Sequence, residues 1–353
     1  MVLHNKIDKK VLREKLATDT TARKTLSFYK YVHIENPNEF RDFLYKTLDE
    51  MGCLGRIYVA NEGINAQMSV PEENWNAFEV FMQNNDHLKN TPLKIAVVDN
   101  GKSFYKLKIK VRPKVLADGL DDSTFNPWNT GNHLNAKQFN EALENGAIVV
   151  DMRNHYESEV GHFIGAIKPD CDTFRDELAM VEEILEGKED QKILMYCTGG
   201  IRCEKASAYF KHKGFKDVNQ LQGGIIEYAH QIKEEGLESK YIGKNFVFDE
   251  RLGERITEDV IAQCHQCGEP CDDHTNCQNL DCHLLFIQCP SCKEKHENCC
   301  SDDCIEIARL PIEEQREKRK GQNKDNALNV FKKGRIGEKI KPIREHNSVL
   351  KDC

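Results

Sequence analysis

Cys197 is followed by Thr198-Gly199-Gly200-Ile201-Arg202, a run that holds the residue types needed for nucleophilic sulfur chemistry. It lies between the apolar, strand-like stretch Lys192 to Cys197 and a segment of helical character. The two glycines let successive backbone N–H groups turn toward one point, making an anion-binding nest at the positive end of the following helix. A sulfur held in such a nest ionises easily, and the thiolate is the reactive form. Arg202 adds a permanent positive charge. A lone cysteine at a strand end is more often a small packing residue, but a glycine pair and an arginine serve no packing purpose there. Cys197 therefore reads as a nucleophilic thiolate or the carrier of a bound anion such as a persulfide. Cys203, just beyond, either resolves an oxidised Cys197 or packs on the first helical turn.

A second concentration of sulfur lies between Cys264 and Cys304, where ten of the fifteen cysteines crowd into one stretch with little core-building sequence. The pairs Cys264-x2-Cys267 and Cys289-x2-Cys292 have zinc-knuckle spacing, and Cys277, Cys282, Cys299, Cys300 and Cys304 offer further thiolates. Two tetrahedral sites would use eight of the ten. The expected ligands are Cys264, Cys267, Cys277, Cys282, Cys289, Cys292, Cys300 and Cys304, in a structural zinc role. Spacing does not fix the pairing; an interleaved arrangement, the two CxxC pairs together and the middle pair with the last, is preferred, with Cys271 spare. Phe286 and Ile287 supply a small core.

The N-terminus is polar and no segment offers ~18 uninterrupted apolar residues, so a cytosolic protein without membrane spans is expected. Fifteen cysteines in that setting point to thiol chemistry and metal ligation, not a disulfide framework. No two-histidine carboxylate triad and no dinucleotide fingerprint is recognisable, which argues against an iron site, a flavin or a nicotinamide. A net charge of −8 gives no global attraction to nucleic acid. Charge is nonetheless segregated: the tail after Pro311 is basic, with Arg316, Lys318, Arg319, Lys320, Lys332, Lys333 and Arg335, and reads as a long helix or a disordered tail that could touch a polyanion.

These chemistries need elements to position them. Thr25 to Val32 reads as a strand, Asn36-Pro37 caps a helix with Phe40, Phe43, Leu44 and Leu48 on one face, and Leu54 to Ala60 and Ile64 to Met68 form a hairpin. A helix from Pro71 to about Met82, with Trp75, Phe78 and Phe81 or Met82 inward, and a strand from Leu93 to Asp99 complete βαββαβ, the ferredoxin-like order. Phe104 to Arg112 then alternates, placing Lys106, Lys108, Lys110 and Arg112 on one strand face. Such a stripe suits either a lysine-protected edge or a phosphate-tracking surface. Asp118 to Asn132 reads as a linker. Beyond it, strands and helices alternate, with strands at Ala147 to Asp151, Lys192 to Cys197 and Val218 to Leu221, implying an α/β fold with a parallel sheet.

The loop Cys197 to Arg202 resembles the active-site loop of rhodanese domains, as do Asp151-Met152-Arg153, the run through Gly161-His162 to Gly165-Ala166, and Leu221-Gln222-Gly223-Gly224-Ile225. The resemblance implies that Asp151 and Arg153 shape the base of the site, that Thr198, Gly199, Gly200, Ile201 and Arg202 hold the anion, and that His162 is a structural hydrogen-bonder. Four residues separate Cys197 from Arg202, the short rhodanese form; the phosphatase loop has five, which disfavours phosphate-ester hydrolysis. Together with Asn61-Glu62-Gly63-Ile64-Asn65, the extended loop CTGGIRCEKA and the cysteine-rich runs, the chain from about residue 24 to 310 resembles the rhodanese-like tRNA uridine hydroxylase family. That resemblance implies 5-hydroxylation of the wobble uridine of tRNA with molecular oxygen as co-substrate. A plain sulfurtransferase and a zinc-containing RNA-binding adaptor with a vestigial loop are the competing readings, and an electron or sulfur donor is left unnamed. The expected division is an extension (1–23), a ferredoxin-like or acylphosphatase-like domain (24–117), a linker (118–134), a rhodanese domain (135–238), the cysteine-rich segment (239–310) and the basic tail (311–353).

Overall fold

The computed structural model describes residues 7, 9–120, 126–282 and 284–320. After helix α1 (Lys9–Thr18), the N-terminal part runs β1 (Arg23–Tyr31), α2 (Pro37–Glu50), β2 (Leu54–Ala60), β3 (Gly63–Pro71), α3 (Trp75–Asn84), β4 (Lys94–Ile95) and β5 (Leu107–Val111). Its sheet has the order β4-β1-β3-β2-β5, with β5 parallel to β2 and the other pairs antiparallel. Asn36 caps α2 by accepting from the Glu39 N–H, as its sequence predicts. Period-two alternation sends Leu26, Phe28, Ile57, Val59, Ala66 and Met68 into the core beneath α2 and α3.

Three details depart from expectation. Phe43 lies outside the α2 stripe and is 45 % exposed. The strand expected over Leu93 to Asp99 shrinks to two residues, because the Asp99 carboxylate takes the Thr25 N–H that a continuing ladder would use, and the Thr25 hydroxyl also donates to it. The helix expected from Pro71 starts at Trp75 after a 3-10 turn, since the β1–β3 ladder extends through Pro71 and Glu72 N–H donates to Ala22.

The central part comprises β6 (Asn132–Leu134), α4 (Ala136–Glu144), β7 (Ile148–Asp151), α5 (His155–Ser158), β8 (Gly161–Phe163), α6 (Phe174–Ile184), β9 (Lys192–Tyr196), α7 (Ile201–His212), β10 (Asp217–Leu221) and α8 (Gly224–Glu235). Strands β6-β10-β9-β7 form a parallel sheet in that order. Alternation along β9 divides its side chains between two cores: Leu194 and Tyr196 join α4 and α8, whereas Ile193, Met195 and Cys197 join α6 and α7. The Cys197 side chain is thus delivered to the α7 side at the carboxyl end of a central strand, where ligands bind in open α/β sheets.

Strand β11 (Tyr241–Asn245) pairs with β8 and with β12 (Glu254–Arg255). The hairpin β13 (His274–Asn276) and β14 (Leu285–Ile287), with α9 (Pro290–Lys295) and α10 (Asp302–Arg309), carries the cysteine-rich stretch, and Phe286 and Ile287 are fully buried in it. Helix α11 (Ile312–Lys320) ends the described chain. Lys332, Lys333 and Arg335 lie outside the described residues. Among the described residues no helix is long and apolar enough to cross a membrane.

The segment read as a linker begins instead as a clamp. Asp118 is 1 % exposed and accepts from Lys114 at 2.9 Å and from Lys205 at 2.5 Å. Lys205, on α7, also reaches Glu62 of the β2–β3 hairpin at 2.8 Å. Tyr29 on β1 donates to Glu204 at 2.9 Å, and His230 on α8 meets the Ile95 carbonyl at 2.9 Å. The free face of the N-terminal sheet is therefore docked on the helices that flank the Cys197 loop.

Candidate active site

The loop takes its shape from two glycines with different tasks. Gly200 caps α7 at φ +97, a left-handed conformation that costs an L side chain roughly 1–2 kcal/mol, and a Cβ there would stand 2.8 Å from the Tyr29 hydroxyl. Gly224, at φ +70, lets α8 approach so closely that a Cβ would fall 2.6 Å from the Cys197 carbonyl. That carbonyl and the next accept from Ile225 and Ile226 at 3.0 and 3.2 Å. The Gly223-Gly224 pair thus clamps the base of the loop.

The Cys197 sulfur receives the Gly200 N–H at 3.1 Å. Burial alone would raise its pKa. The Cys203 thiol, the Arg202 charge and the backbone N–H groups of Cys203 and Arg202 outweigh that and bring it down to about 6. Cys203 is pushed the other way, first by burial and then by donating to Cys197, so it stays a thiol. At neutral pH the pair is one thiolate and one hydrogen-bond donor.

Arg202 is not an unpaired cation. Glu157 clasps its guanidinium with two bonds, 2.7 and 2.8 Å, with the carboxylate fully buried. Asp151 and Arg153 depart further from expectation. They form a fully buried two-bond pair at 2.8 and 2.7 Å, Tyr196 donates to Asp151 at 2.6 Å, and Arg153 donates to the Gly161 carbonyl at 2.6 Å. Neither borders the cavity. They brace β7, β8 and β9 behind the loop, and their charges are spent on each other. His162 meets the Ser158 carbonyl and Lys168 with its two ring nitrogens, a structural role.

Cys197, Thr198, Gly199, Ile201 and Arg202 border a cavity of about 360 Å³ whose opposite wall is the free face of the N-terminal sheet. That wall presents Tyr29, Tyr58, Asn65, Gln67, Arg56 and Lys94, and the segment after β11 closes one side with Phe248 and Arg251. Arg251 is taken up by Asp249 and Glu254, both at 2.5 Å. The cationic stripe continues outward from the wall: Lys108 and Lys110 lie beside Arg56 and Tyr58 in the β2–β5 register, and Arg112 stands 5.7 Å from the Tyr58 ring centre. Burial, and then repulsion from Lys110, Lys106, Arg56 and Arg112, lowers the Lys108 pKa.

The cysteine-rich stretch resolves into two sets of four, Cys264, Cys267, Cys289 and Cys292 in one and Cys277, Cys282, Cys300 and Cys304 in the other, with the sulfurs of each set within 4.8 Å of one another. None forms a disulfide. Cys267 to Cys289, Cys282 to Cys300 and Cys300 to Cys304 span 3.6, 3.6 and 3.7 Å. A tetrahedron with Zn–S bonds of ~2.3 Å has edges of ~3.8 Å, so the residues fit that ion. Cys271 and Cys299 fall outside both sets; Cys271 accepts the Asp273 N–H.

Three family models match the chain: one described as a UPF0176 acylphosphatase like domain matches residues 23–115, one described as a rhodanese-like domain 135–231, and one described as rhodanase C-terminal 242–305. The tRNA uridine(34) hydroxylase of Leptospira interrogans serogroup Icterohaemorrhagiae serovar Lai is 54 % identical over 342 residues, covering 97 % of this chain and 93 % of that protein. The chain belongs to the tRNA uridine(34) hydroxylase family. The proteins of that name from Photorhabdus laumondii and Enterobacter sp. (strain 638) are 54 % and 53 % identical over 95 % and 96 % of this chain, and 95 % and 98 % of theirs.

Membership of the tRNA uridine(34) hydroxylase family ties together motifs that look separate in the sequence. Glu62 of the Asn61 to Asn65 run and Lys205 of the extended cysteine loop are partners in one ion pair across the domain junction. Tyr29, Lys94 and Glu157 escaped the sequence reading. Glu157 carried a signal, a carboxylate four residues after Arg153; Tyr29 and Lys94 carried none, since they reach the site from another domain.

Proposed function

We propose that the chain hydroxylates the wobble uridine of tRNA at C5, with the Cys197 thiolate as nucleophile and molecular oxygen as co-substrate. The observation that carries this reading is the cavity itself: an ionised sulfur on one wall, aromatic and amide side chains of a second domain on the other. A wobble base is unpaired and splays out at modest cost, tyrosine rings offer it a stacking surface, and the Asn65 and Gln67 amides match the donors and acceptors of a uracil edge. Addition of the sulfur to C6 loads electron density onto C5, the carbon that must meet oxygen. The lysine stripe beside the wall takes the tRNA backbone, the two thiolate sets hold structural zinc, and the protein works in the cytosol. Nucleoside analysis of tRNA from cells lacking the protein, complemented with wild type or Cys197→Ala, tests the reading. Restoration of 5-hydroxyuridine by wild type alone is expected. Full restoration by Cys197→Ala, or thiosulfate-to-cyanide turnover with no change in tRNA, refutes it. A wild-type adduct between Cys197 and tRNA carrying 5-fluorouridine at position 34 tests the C6 addition separately.

A further inference from the structure

The positive charges around the cavity are unequally committed. Arg202 is held by Glu157, Arg251 by Asp249 and Glu254, and Lys205 by Glu62 and Asp118. Lys94 borders the same cavity and is only 5 % exposed, yet among the described residues no carboxylate pairs with it and its Nζ makes no hydrogen bond. The ammonium stands 4.2 Å from the centre of the Tyr29 ring, and Tyr29 is anchored in turn to Glu204. A ring face holds a cation in place without neutralising it. The lysine stem passes beside the catalytic loop, with Cδ 3.8 Å from where a Gly199 Cβ would stand. A buried cation with no carboxylate in direct contact, beside a sulfur that gives up its negative charge on adding to the base, has a purpose if that charge reappears on the substrate during reaction.

We propose that Lys94, supplied by the N-terminal domain, is a second catalytic residue whose ammonium holds O4 of the uracil ring during addition of Cys197. The proposal rests on the thiolate-addition reading above. As the S–C6 bond forms, the C5–C6 π bond breaks and its electron pair moves through C4 to O4, giving an enolate. The Lys94 N–H donates to that oxygen. No electrons leave the pair of reactants, so this step needs no oxidant. Protonation at C5, loss of either proton there and expulsion of the sulfur return uridine, so C5 exchanges its hydrogen with solvent when oxygen is absent. Preorganised donors aimed at developing charge are the strongest single contribution in many active sites.

Charge balance at Lys94 supports the role. Burial draws its pKa down to about 8, against Cys197, Glu204 and Glu227, which pull it up. Tyr29 faces it from β1, and His230 on α8 is occupied with the Ile95 carbonyl. The group is thus protonated at neutral pH and still able to release its proton.

The test uses the full chain and tRNA with unmodified uridine at position 34, in deuterated buffer without oxygen, reading deuterium at C5 of that nucleoside by mass spectrometry. Wild type should exchange and Cys197→Ala should not. Lys94→Met should exchange at least ~100-fold more slowly, the usual cost of deleting one such donor, with Lys94→Arg recovering to within about ten-fold of wild type. In wild type the rate should fall above about pH 8, and in Lys94→Arg that fall should move upward. Exchange in Lys94→Met at the wild-type rate, with the 5-fluorouridine adduct still formed, overturns the role of Lys94 alone. Neither adduct nor exchange in wild type overturns the addition reading and this proposal with it. Should Lys94→Met fail to fold, a wild-type rate that stays level past pH 9 overturns the proposal.

Discussion

Removing the Cys203 sulfur by Cys203→Ala should make Cys197 a weaker acid without touching the cavity. The fall of the Cys197 pKa from 9.0 to about 6 amounts to ~4 kcal/mol of preference for the thiolate, at ~1.4 kcal/mol per unit. The Cys203 thiol heads the contributions that lower it. A hydrogen bond to a charged group is worth ~1.5–3 kcal/mol, so its loss should raise the midpoint by ~1–2 units, to about 7–8. Cys203→Ser keeps a donor and should stay near wild type. Iodoacetamide alkylation at Cys197, followed by peptide mass spectrometry across pH 4 to 10, reads the midpoint directly. The sign for stability follows from the same shift. A thiol whose folded pKa is depressed contributes stability that is present in full above about 9 and lost as the pH falls through about 6. A wild-type midpoint above 8, or one that Cys203→Ala leaves unmoved, would refute the account of how the loop ionises its sulfur.

Lys205→Met strands Glu62 across the domain junction and should cost ~3–5 kcal/mol in chemical denaturation, less than additively with Glu62→Gln. Purified protein should hold two zinc ions per chain by elemental analysis, and Cys300→Ala should leave one. Replacing Lys106, Lys108, Lys110 and Arg112 by alanine should weaken tRNA binding at low salt and flatten the slope of log affinity against log salt by ~3; an unchanged slope would assign the stripe to edge protection. Gly224→Ala should abolish rapid alkylation of Cys197, since its Cβ meets the Cys197 and Thr198 carbonyls at 2.6 and 2.7 Å.

What the sequence discloses about this site is what is local in it. The nest around Cys197 and the CxxC pairs lie within a few residues of chain, so their chemistry can be read by eye. The central strands of the parallel sheet are legible because β7 and β9 are apolar runs, and β10, although polar at Asn219 and Gln220, lies between Gly214 and the Gly223-Gly224 turn. Arg202 looks like an open cation until Glu157 is brought to it by α5, and Asp151 and Arg153 look like ligands until their shared burial is seen. Lys94 is the sharpest case: in sequence it is one lysine in a weak two-residue strand, and only the docking of that strand's sheet over the loop gives it a role. The Asp99 contact that cuts this strand short is likewise a side chain competing for a backbone N–H, invisible to periodicity.

The division of the cavity between two domains also has an order in time. Protein chains emerge from the ribosome N-terminus first, and domains fold largely as units. The wall carrying Tyr29, Tyr58 and Lys94 is complete before the segment with Cys197 is made, so the sulfur meets its cover as soon as its own loop closes. Without that cover, the folded loop would expose a readily ionised sulfur to peroxide and to stray disulfides. The sheet that shapes the reaction chamber is, by its place in the chain, also a guard over the nascent nucleophile.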